Sequence, residues 1–177
     1  AYYAADRFAD VFVHLRRAPE AVLPRLRAIP GVAQAESRVV TQVLLDVPGL
    51  AEPASGHLVS IPQHGRPLLN DVHLRSGRWV DPLRDNEIMV SEAFAEANHL
   101  VAGDSLGALV NGRWRTFRIV GIGLSPEFVY EVPAGAIFPD KRRFGVLWLN
   151  RAELGPALAM EGGFNDVSFS LMPGADT

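Results

Sequence analysis

The stretch of sequence that decides the fold is Arg143-Phe144-Gly145-Val146-Leu147-Trp148-Leu149. It is apolar on both faces, which is typical of a central β-strand. Asn150 and Glu153 follow at the spacing of a helix N-cap and capping box, and they predict a short helix over residues 151–158. After a glycine pair, residues 165–172 alternate apolar and serine side chains, as a half-exposed edge strand does. This end of the chain therefore predicts a strand–helix–strand unit.

The other end of the chain repeats this plan. Residues 7–15 are mostly apolar and predict a strand, and residues 22–29 carry apolar side chains at helical spacing. Pro30 and Gly31 end that helix, and residues 32–47 predict one long strand. Two such units predict a split βαβ, ferredoxin-like sheet, in which the first and third strands are central and the fourth lies at an edge.

A β-rich segment separates the two units. Asn111-Gly112 is a two-residue hairpin signal, and a serine cap predicts a short helix over residues 92–97. The strands of this segment are too close together for βαβ crossovers. We therefore predict an α+β fold in which a β-rich lobe, residues 56–132, is inserted between residues 1–55 and 133–177 of the ferredoxin-like lobe. The strands predicted within the inserted lobe cover residues 58–61, 87–90, 106–110 and 116–122.

The composition limits what the chain can do. Its residues are 48% hydrophobic and 21% charged, which is typical of a globular protein with a sizeable core. The net charge is −3 and no basic cluster is dense, so we exclude nucleic acid as a partner. The absence of cysteine excludes disulfides, thiolate metal sites and cysteine nucleophiles.

Membrane and targeting signals are not recognisable in these residues. No apolar run approaches the ~20 residues that span a bilayer, and no basic segment precedes an apolar stretch of the kind found in signal peptides. The chain begins with Ala1 and not with Met, and it ends without a terminating pattern. We therefore expect the sequence to be trimmed from a longer protein.

The five histidines are weak candidates for a metal site. His64 and His73 lie near Asp71, but in a segment rich in proline and glycine that has no helical spacing. His14 falls on a predicted strand, and His99 falls at the end of a predicted helix. A zinc site needs three or four converging ligands and further groups that orient them. Ordinary polar or packed histidines explain this pattern better, and we predict no metal site.

Two further patterns could suggest an enzyme. Gly123-Leu124-Ser125-Pro126-Glu127 has the first glycine of a nucleophile elbow but not the last. Its proline also removes a backbone N–H from the place where an oxyanion donor is needed. The carboxylate pairs Glu92/Glu96 and Asp81/Asp85 fit a solvated helix face and a turn. We therefore predict no catalytic or cofactor-binding residues and a domain that is not an enzyme.

Aromatic residues gather where the chain returns from the predicted insertion. Phe128, Tyr130 and Phe138 could form an apolar contact patch for a partner or for an apolar substrate. They could instead fill the junction between the two lobes, because aromatic side chains bury well. We favour the junction, and both interpretations stay open at this point.

Several pieces of the β-rich segment occur in an order and spacing that resemble a known family. Taken together they are similar to the extracytoplasmic core of MacB/FtsX-like ABC-transporter permeases, and the similarity extends over nearly the whole chain, including residues 2–12. The pieces that carry it are Ser91-Glu92-Ala93-Phe94-Ala95, Leu100-Val101-Ala102-Gly103-Asp104, Asn111-Gly112, Val120-Gly121-Ile122 and, upstream, Gly77-Arg78.

The resemblance implies a location and a set of partners. It implies a porter-like lobe carrying the inserted β-rich lobe, on the periplasmic side of the bacterial inner membrane. Tyr2 and Tyr3 would lie next to a membrane span, at the interface where aromatic residues gather. The implied partners are a cytoplasmic ABC ATPase, reached through transmembrane helices, and a second permease copy or half.

Three functions compete at this stage. In the first, the domain transmits ATP-driven motion and couples it to export or extraction of a substrate, with hinges near residues 53–56 and 133–135. In the second, it is a periplasmic platform that recruits an adaptor protein or a cell-wall hydrolase. In the third, it is a free-standing enzyme or ligand-binding protein, which requires a gene without flanking membrane helices.

Overall fold

The structure, a computed structural model, describes residues 7–128 and 140–175. These two ranges contain ten strands and three short α-helices, so the fold is α+β and rich in sheet. Within them, no helix is long and apolar enough to cross a membrane. The strands are β1 (Val11–Pro19), β2 (Val32–Arg38), β3 (Val40–Asp46), β4 (Ala54–Ile61), β5 (His73–Gly77), β6 (Glu87–Ser91), β7 (Ser105–Val110), β8 (Arg113–Leu124), β9 (Phe144–Asn150) and β10 (Gly163–Leu171). The α-helices are α1 (Leu23–Arg27), α2 (Glu92–Ala97) and α3 (Arg151–Ala157), with 3₁₀ turns at Glu20–Val22 and Pro126–Phe128.

A small sheet has the strand order β1-β10-β2, and both of its pairings are antiparallel. β1 and β2, which α1 connects, therefore run parallel to each other on either side of β10. Val11 pairs with Phe169, so the chain enters β1 beside the point where it leaves β10. The backbone N–H of Leu171 donates to the side chain of Asp10 (2.7 Å) and ties these two ends together.

This strand order differs from the predicted four-stranded sheet. β10, predicted at an edge, is the central strand, and β1, predicted to be central, is at an edge. β9, predicted beside β1, is central in the second sheet instead. The general class α+β is confirmed, but the predicted positions of these three strands are wrong.

The serines of β10 explain why this strand looks like an edge in the sequence. Ser168 is 1% exposed, and Asn70 covers it with its Nδ2 3.5 Å from the serine Oγ. Asn70 also accepts a hydrogen bond from the backbone N–H of Ala9 (2.9 Å). Because a polar group can be buried once it is hydrogen-bonded, alternation with serine does not require solvent on that face. Conversely, Val13 of β1 is 41% exposed, although it belongs to an apolar run.

The predicted long strand over residues 32–47 is two strands that belong to different sheets. They are separated at Val39, whose backbone N–H donates to Ser60 Oγ of β4 (2.8 Å) and not to a neighbouring strand backbone. Asn165 holds the next residue, with hydrogen bonds to the backbone N–H and carbonyl of Val40 (2.8 and 2.7 Å). The chain thus crosses from the small sheet to the large one at a single residue that is fixed by side chains.

The large sheet closes on itself. Its strand order is β5-β8-β6-β9-β4-β3-β7, and β7 also pairs with β8. β8 is long enough to pair with β7 through Arg113–Arg118 and with β5 through its last residues. Six strands, β3, β4, β9, β6, β8 and β7, therefore form a closed barrel, and β5 extends it along β8. Closure leaves no free edge within the ring of six strands.

The barrel is filled by the side chains that point inward from each strand. Leu45, Leu58, Ile88 and Leu147 are completely buried, and so is Phe117 of β8. The helices α2 and α3 contribute further apolar side chains to this core, which are Phe94, Ala95 and Leu154.

Part of the outer face of the barrel carries a second apolar cluster. Val59, Met89, Val146 and Trp148 point outward from β4, β6 and β9 and are 3% exposed or less. Val72 and the neighbouring segment of residues 72–80 pack onto them. β9 is therefore buried on both faces, which is what its continuous apolar run predicts.

The segment near residues 53–56, where we predict a hinge, is firmly held in the barrel. Ser55 and Gly56 pair with β3 on one side and with β9 on the other. The chain crosses from the small sheet to the barrel at Val39 and returns between α3 and β10, so neither crossing lies at this segment. Residues 133–135, the second predicted hinge, lie outside the described residues, and the division of the chain at residues 55 and 132 stays a prediction.

Candidate functional site

The junction between the small sheet and the barrel is joined by a buried ion-pair network. Arg38, the last residue of β2, donates to both carboxylate oxygens of Glu127 (2.6 and 2.8 Å). Its Nε donates to Asp166 Oδ1 of β10 (2.7 Å). The side chains of Arg38, Glu127 and Asp166 are 9%, 13% and 0% exposed. Because Glu127 follows β8 of the barrel, this arginine connects the two sheets directly.

The network reaches the surface through a histidine. His14 of β1 places Nδ1 2.6 Å from Asp166 Oδ2, and its side chain is 71% exposed. Asp166 is therefore contacted by Arg38 from β2 and by His14 from β1. This fully buried carboxylate thus links side chains from all three strands of the small sheet.

A second histidine lies on the barrel side of the junction. His57 of β4 contacts the ring of Phe128 edge-on, with 5.6 Å between ring centroids, and Phe128 in turn lies 6.2 Å from Trp148. Gln42 Nε2 is 2.8 Å from His57 Nδ1. Burial, with a smaller contribution from the positive charge of Arg38, lowers the pKa of His57 to about 4. His57 is therefore neutral at physiological pH.

A second ionic contact joins α3 to the small sheet. Arg151, at the start of α3, forms an ion pair with Glu20 in the turn before α1. It also donates to Ser37 Oγ (2.9 Å) and to the backbone carbonyl of Gly163 (2.9 Å). Ser37 Oγ donates to Glu20 Oε1 (2.9 Å), so the three side chains form one network. α3, which follows the barrel strand β9, is thereby attached to β2 and β10.

A third polar contact fixes the segment that follows β4. Glu36 of β2 accepts hydrogen bonds from the backbone N–H groups of Leu68 and Leu69 (3.0 and 2.9 Å). Burial raises the pKa of this carboxyl group above its usual range, against the effect of the two backbone donors. Glu36, Arg38 and Arg151 surround a cavity of about 310 Å³ between the two sheets.

The residues predicted as contact sites are only partly covered by the structure. Phe128 is half-buried at the junction, between His57 and Trp148. Tyr130 and Phe138 lie outside the described residues, and so do Tyr2 and Tyr3. Their roles stay predictions.

Three of the carboxylates weighed as metal or acid–base groups have structural partners. Asp71 is paired with Arg66 (3.0 Å), and Glu92 is paired with Arg75 (2.9 Å). Asp81 accepts from the backbone N–H of Leu83 (2.9 Å) in a turn. Among residues 7–128 and 140–175, no group of three His, Asp or Glu side chains is placed to hold a metal ion.

Sequence reasoning missed the residues that form the junction network. Arg38 and Asp166 each sit in a segment that the sequence predicts as a strand, and Glu127 was considered only as part of a hydrolase-like motif. One signal was available: Glu36-Ser37-Arg38 places three polar residues in succession in a strand whose other residues are mostly apolar. Charged residues that are buried in pairs produce this pattern.

The fold has counterparts among solved structures. It is that of the extracytoplasmic domains of ABC-type transporters, which is the class that the resemblance predicted. One such structure is the extracellular domain of the noncanonic ABC-type transporter YknZ from Gram-positive bacteria. Its sequence is 12% identical, the match covers 92% of this chain and 83% of that chain, and the TM-score is 0.58. Another is the periplasmic region of MacB from Actinobacillus actinomycetemcomitans, with 9% identity, 93% and 69% coverage, and a TM-score of 0.52. No protein-family model and no curated protein matches the sequence.

Proposed function

We propose that this chain is the extracytoplasmic domain of an ABC-transporter permease and that it transmits motion. ATP-driven movement of a partner ATPase would reach it through flanking membrane helices, and the domain would couple that movement to export or extraction of a substrate. In this proposal it is not an enzyme, and it works beside a second permease copy or half at the bacterial inner membrane. The likeness in fold to YknZ and MacB domains over more than nine tenths of this chain is the observation that carries the proposal.

The placement of the two ends supports this topology. Asp10 and Leu171 lie side by side at one end of the small sheet: the backbone N–H of Leu171 donates to the Asp10 side chain, and the backbone N–H of Asp10 donates to the carbonyl of Phe169. Membrane helices that precede and follow the domain would therefore be neighbours. Tyr2 and Tyr3 would lie at the membrane surface on this side, as aromatic residues do near membrane spans.

The junction supports a mechanical role. The small sheet, which holds both ends, is attached to the barrel through Val39, α3 and the Arg38 and Arg151 networks. Ion pairs hold a defined geometry and can exchange partners, whereas the closed barrel has no free edge at which to deform. We propose that movement of the membrane helices rotates the small sheet and that Arg38 transfers this rotation to the barrel.

The gene provides the first test. If no apolar segment of about 20 residues flanks residues 1–177, the permease proposal fails. Residues 1–177 lack cysteine, so spin labels at Arg16→Cys and Arg113→Cys report the distance between the small sheet and the barrel once any cysteines elsewhere in the permease and its ATPase are replaced. In the full permease with its ATPase, we expect ATP to shift this distance distribution. An unchanged distribution through the ATPase cycle overturns the mechanical role.

A second candidate function, recruitment of an adaptor protein or cell-wall hydrolase, is favoured by one exposed surface. Leu44, Leu109 and Trp114 are paired in one row across β3, β7 and β8, on the outer face of the barrel. Leu44 and Trp114 are 46% and 56% exposed, and tryptophan is common at the centres of protein interfaces. A photoreactive residue at position 114 should cross-link such a partner in cells. The matched control position is Val101, which is 61% exposed and lies outside this row.

A further inference from the structure

A cavity of about 310 Å³ lies between the small sheet and the barrel. α1 and β2 line it on one side, and β4, β9 and the start of α3 line it on the other. Ligand pockets typically have volumes of roughly 300–1,000 Å³, lie at the meeting point of two substructures and combine apolar walls with a few polar groups. This cavity has the size and the location of such a pocket.

One part of the cavity wall is apolar. Leu23 of α1 lies on one side, and Val59, Ile61 and Trp148 lie on the other. All four side chains are 8% exposed or less, so their positions are fixed by packing. A preformed wall of this kind binds a compact apolar group, because burying apolar surface releases it from water.

Five charged side chains line the cavity. Three arginines, Arg27, Arg38 and Arg151, face two glutamates, Glu20 and Glu36. Arg38 is bound by Asp166 and Glu127, which do not line the cavity, and Arg151 is bound by Glu20. The Glu36 carboxylate is occupied by the backbone N–H groups of residues 68 and 69.

Arg27 is the cation left without a counter-charge. Its Nε donates to the backbone carbonyl of Ala35 (3.2 Å), which fixes the plane of the guanidinium. Within residues 7–128 and 140–175, no carboxylate lies at ion-pair distance from Arg27, since each described ion pair involves other residues. A guanidinium donates two parallel hydrogen bonds to a carboxylate, so this residue suits a carboxylate head group.

We propose that the cavity binds a small amphiphile with a compact apolar body and one carboxylate head, and that Arg27 holds the head. The apolar body lies against Leu23, Val59 and Trp148. Such a ligand contacts both the small sheet and the barrel, and its binding is independent of whether the domain serves a permease. Failure of the binding test therefore leaves the proposed transport role untouched, and the reverse also holds.

The test uses the 177-residue chain and three eight-carbon probes that differ only in the head group. Octanoate, octanol and octylamine are titrated into labelled protein, and the indole N–H signals of the three tryptophans are followed by NMR. Single Trp→Phe variants assign the signals. We expect octanoate to shift the Trp148 signal and to leave Trp114, which is exposed and does not line the cavity, unchanged. Octanol binds more weakly, and octylamine does not bind.

The Arg27→Gln variant tests the head-group contact, and Arg25→Gln in the same helix is the matched control. Both residues are exposed, and only Arg27 lines the cavity. Arg27→Gln should weaken octanoate binding about tenfold, to the level of octanol, because one charge-assisted contact is lost. Arg25→Gln should leave it unchanged. Equal shifts at Trp114 and Trp148, equal affinity for octylamine, or equal loss in both variants overturns the proposal.

Discussion

Arg38 and Glu127 face each other across the junction of the two sheets, with both guanidinium Nη atoms bound to the carboxylate at 2.6 and 2.8 Å. This bidentate ion pair connects the last residue of β2 with the turn after β8. It is nearly excluded from solvent, so its geometry is retained at salt concentrations that screen surface pairs. Replacing either partner of this ion pair should therefore lower the free energy of unfolding.

Replacing Arg38 should destabilise the fold more than replacing Glu127. Arg38→Met leaves the buried Asp166 without its guanidinium and should cost about 3–5 kcal/mol, because an unpaired buried charge remains. Glu127→Gln keeps one acceptor for Arg38 and should cost about 1–3 kcal/mol. Urea unfolding measures both values. Arg143→Gln, which removes an exposed pair with Glu52, is the control and should change the free energy of unfolding by less than ~1 kcal/mol.

The stability of the chain should fall on acidification because of His57. Its pKa is about 4 in the folded protein and about 6.5 when unfolded, so the unfolded state binds more protons between these two pH values. The free energy of unfolding should therefore rise with pH through this window. Between pH 7.5 and 4.5, the free energy of unfolding of the wild type should fall by up to about 2–3 kcal/mol more than that of His57→Gln, whose side chain does not titrate. Identical losses in the two proteins would show that His57 is solvated in the fold.

A larger side chain should not be tolerated at Gly145 of β9. A Cβ atom at this position would lie 2.6 Å from the ring of the buried Phe94 of α2. Gly145→Ala should destabilise the fold by about 1–3 kcal/mol through overpacking, and adding Phe94→Leu should recover part of the loss. Gly155→Ala in α3 is the control, because its Cβ meets nothing closer than 3.6 Å. That substitution should be neutral or stabilising by up to ~1 kcal/mol.

The start of α3 should depend on Asn150 and not on a capping box. Asn150 Oδ1 accepts from the backbone N–H of Ala152 (2.9 Å), as the sequence predicts. Asn150→Ala should cost about 1 kcal/mol, and Asn150→Ser should restore most of it. The chemical shifts of residues 151–154 provide the readout. If the two variants unfold at the same urea concentration, the cap does not hold this helix.

Glu153 illustrates where prediction from local sequence stops. The spacing of Asn150 and Glu153 predicts a reciprocal capping box, but Glu153 accepts instead from the backbone N–H of Asn86 and pairs with Arg115. Both partners come from other parts of the barrel. A side chain near a helix start can satisfy a local or a distant donor, and the fold decides which one is in reach.

Elements built from neighbouring residues were predictable, and the closure of the barrel was not. Asn111 and Gly112 form the predicted two-residue turn, both with positive φ (48° and 75°), as this turn type requires. Closure instead depends on pairing of Leu44 with Leu109, which are far apart in the chain and carry no local signal for each other. The junction network is of the same kind, since Arg38 meets Glu127 and Asp166 only when both sheets are complete.

Because Val11 and Phe169 are paired side by side, the response of the small sheet to force depends on the direction in which residues 10 and 171 are pulled. β1 and β10 are antiparallel, so force that draws residues 10 and 171 apart acts on their hydrogen bonds one after another, as in opening a zipper. Force that moves both residues in the same direction leaves those bonds unloaded and acts on the Arg38 and Arg151 contacts. If the domain transmits motion as we propose, it should therefore yield to separation of residues 10 and 171 and resist their common displacement.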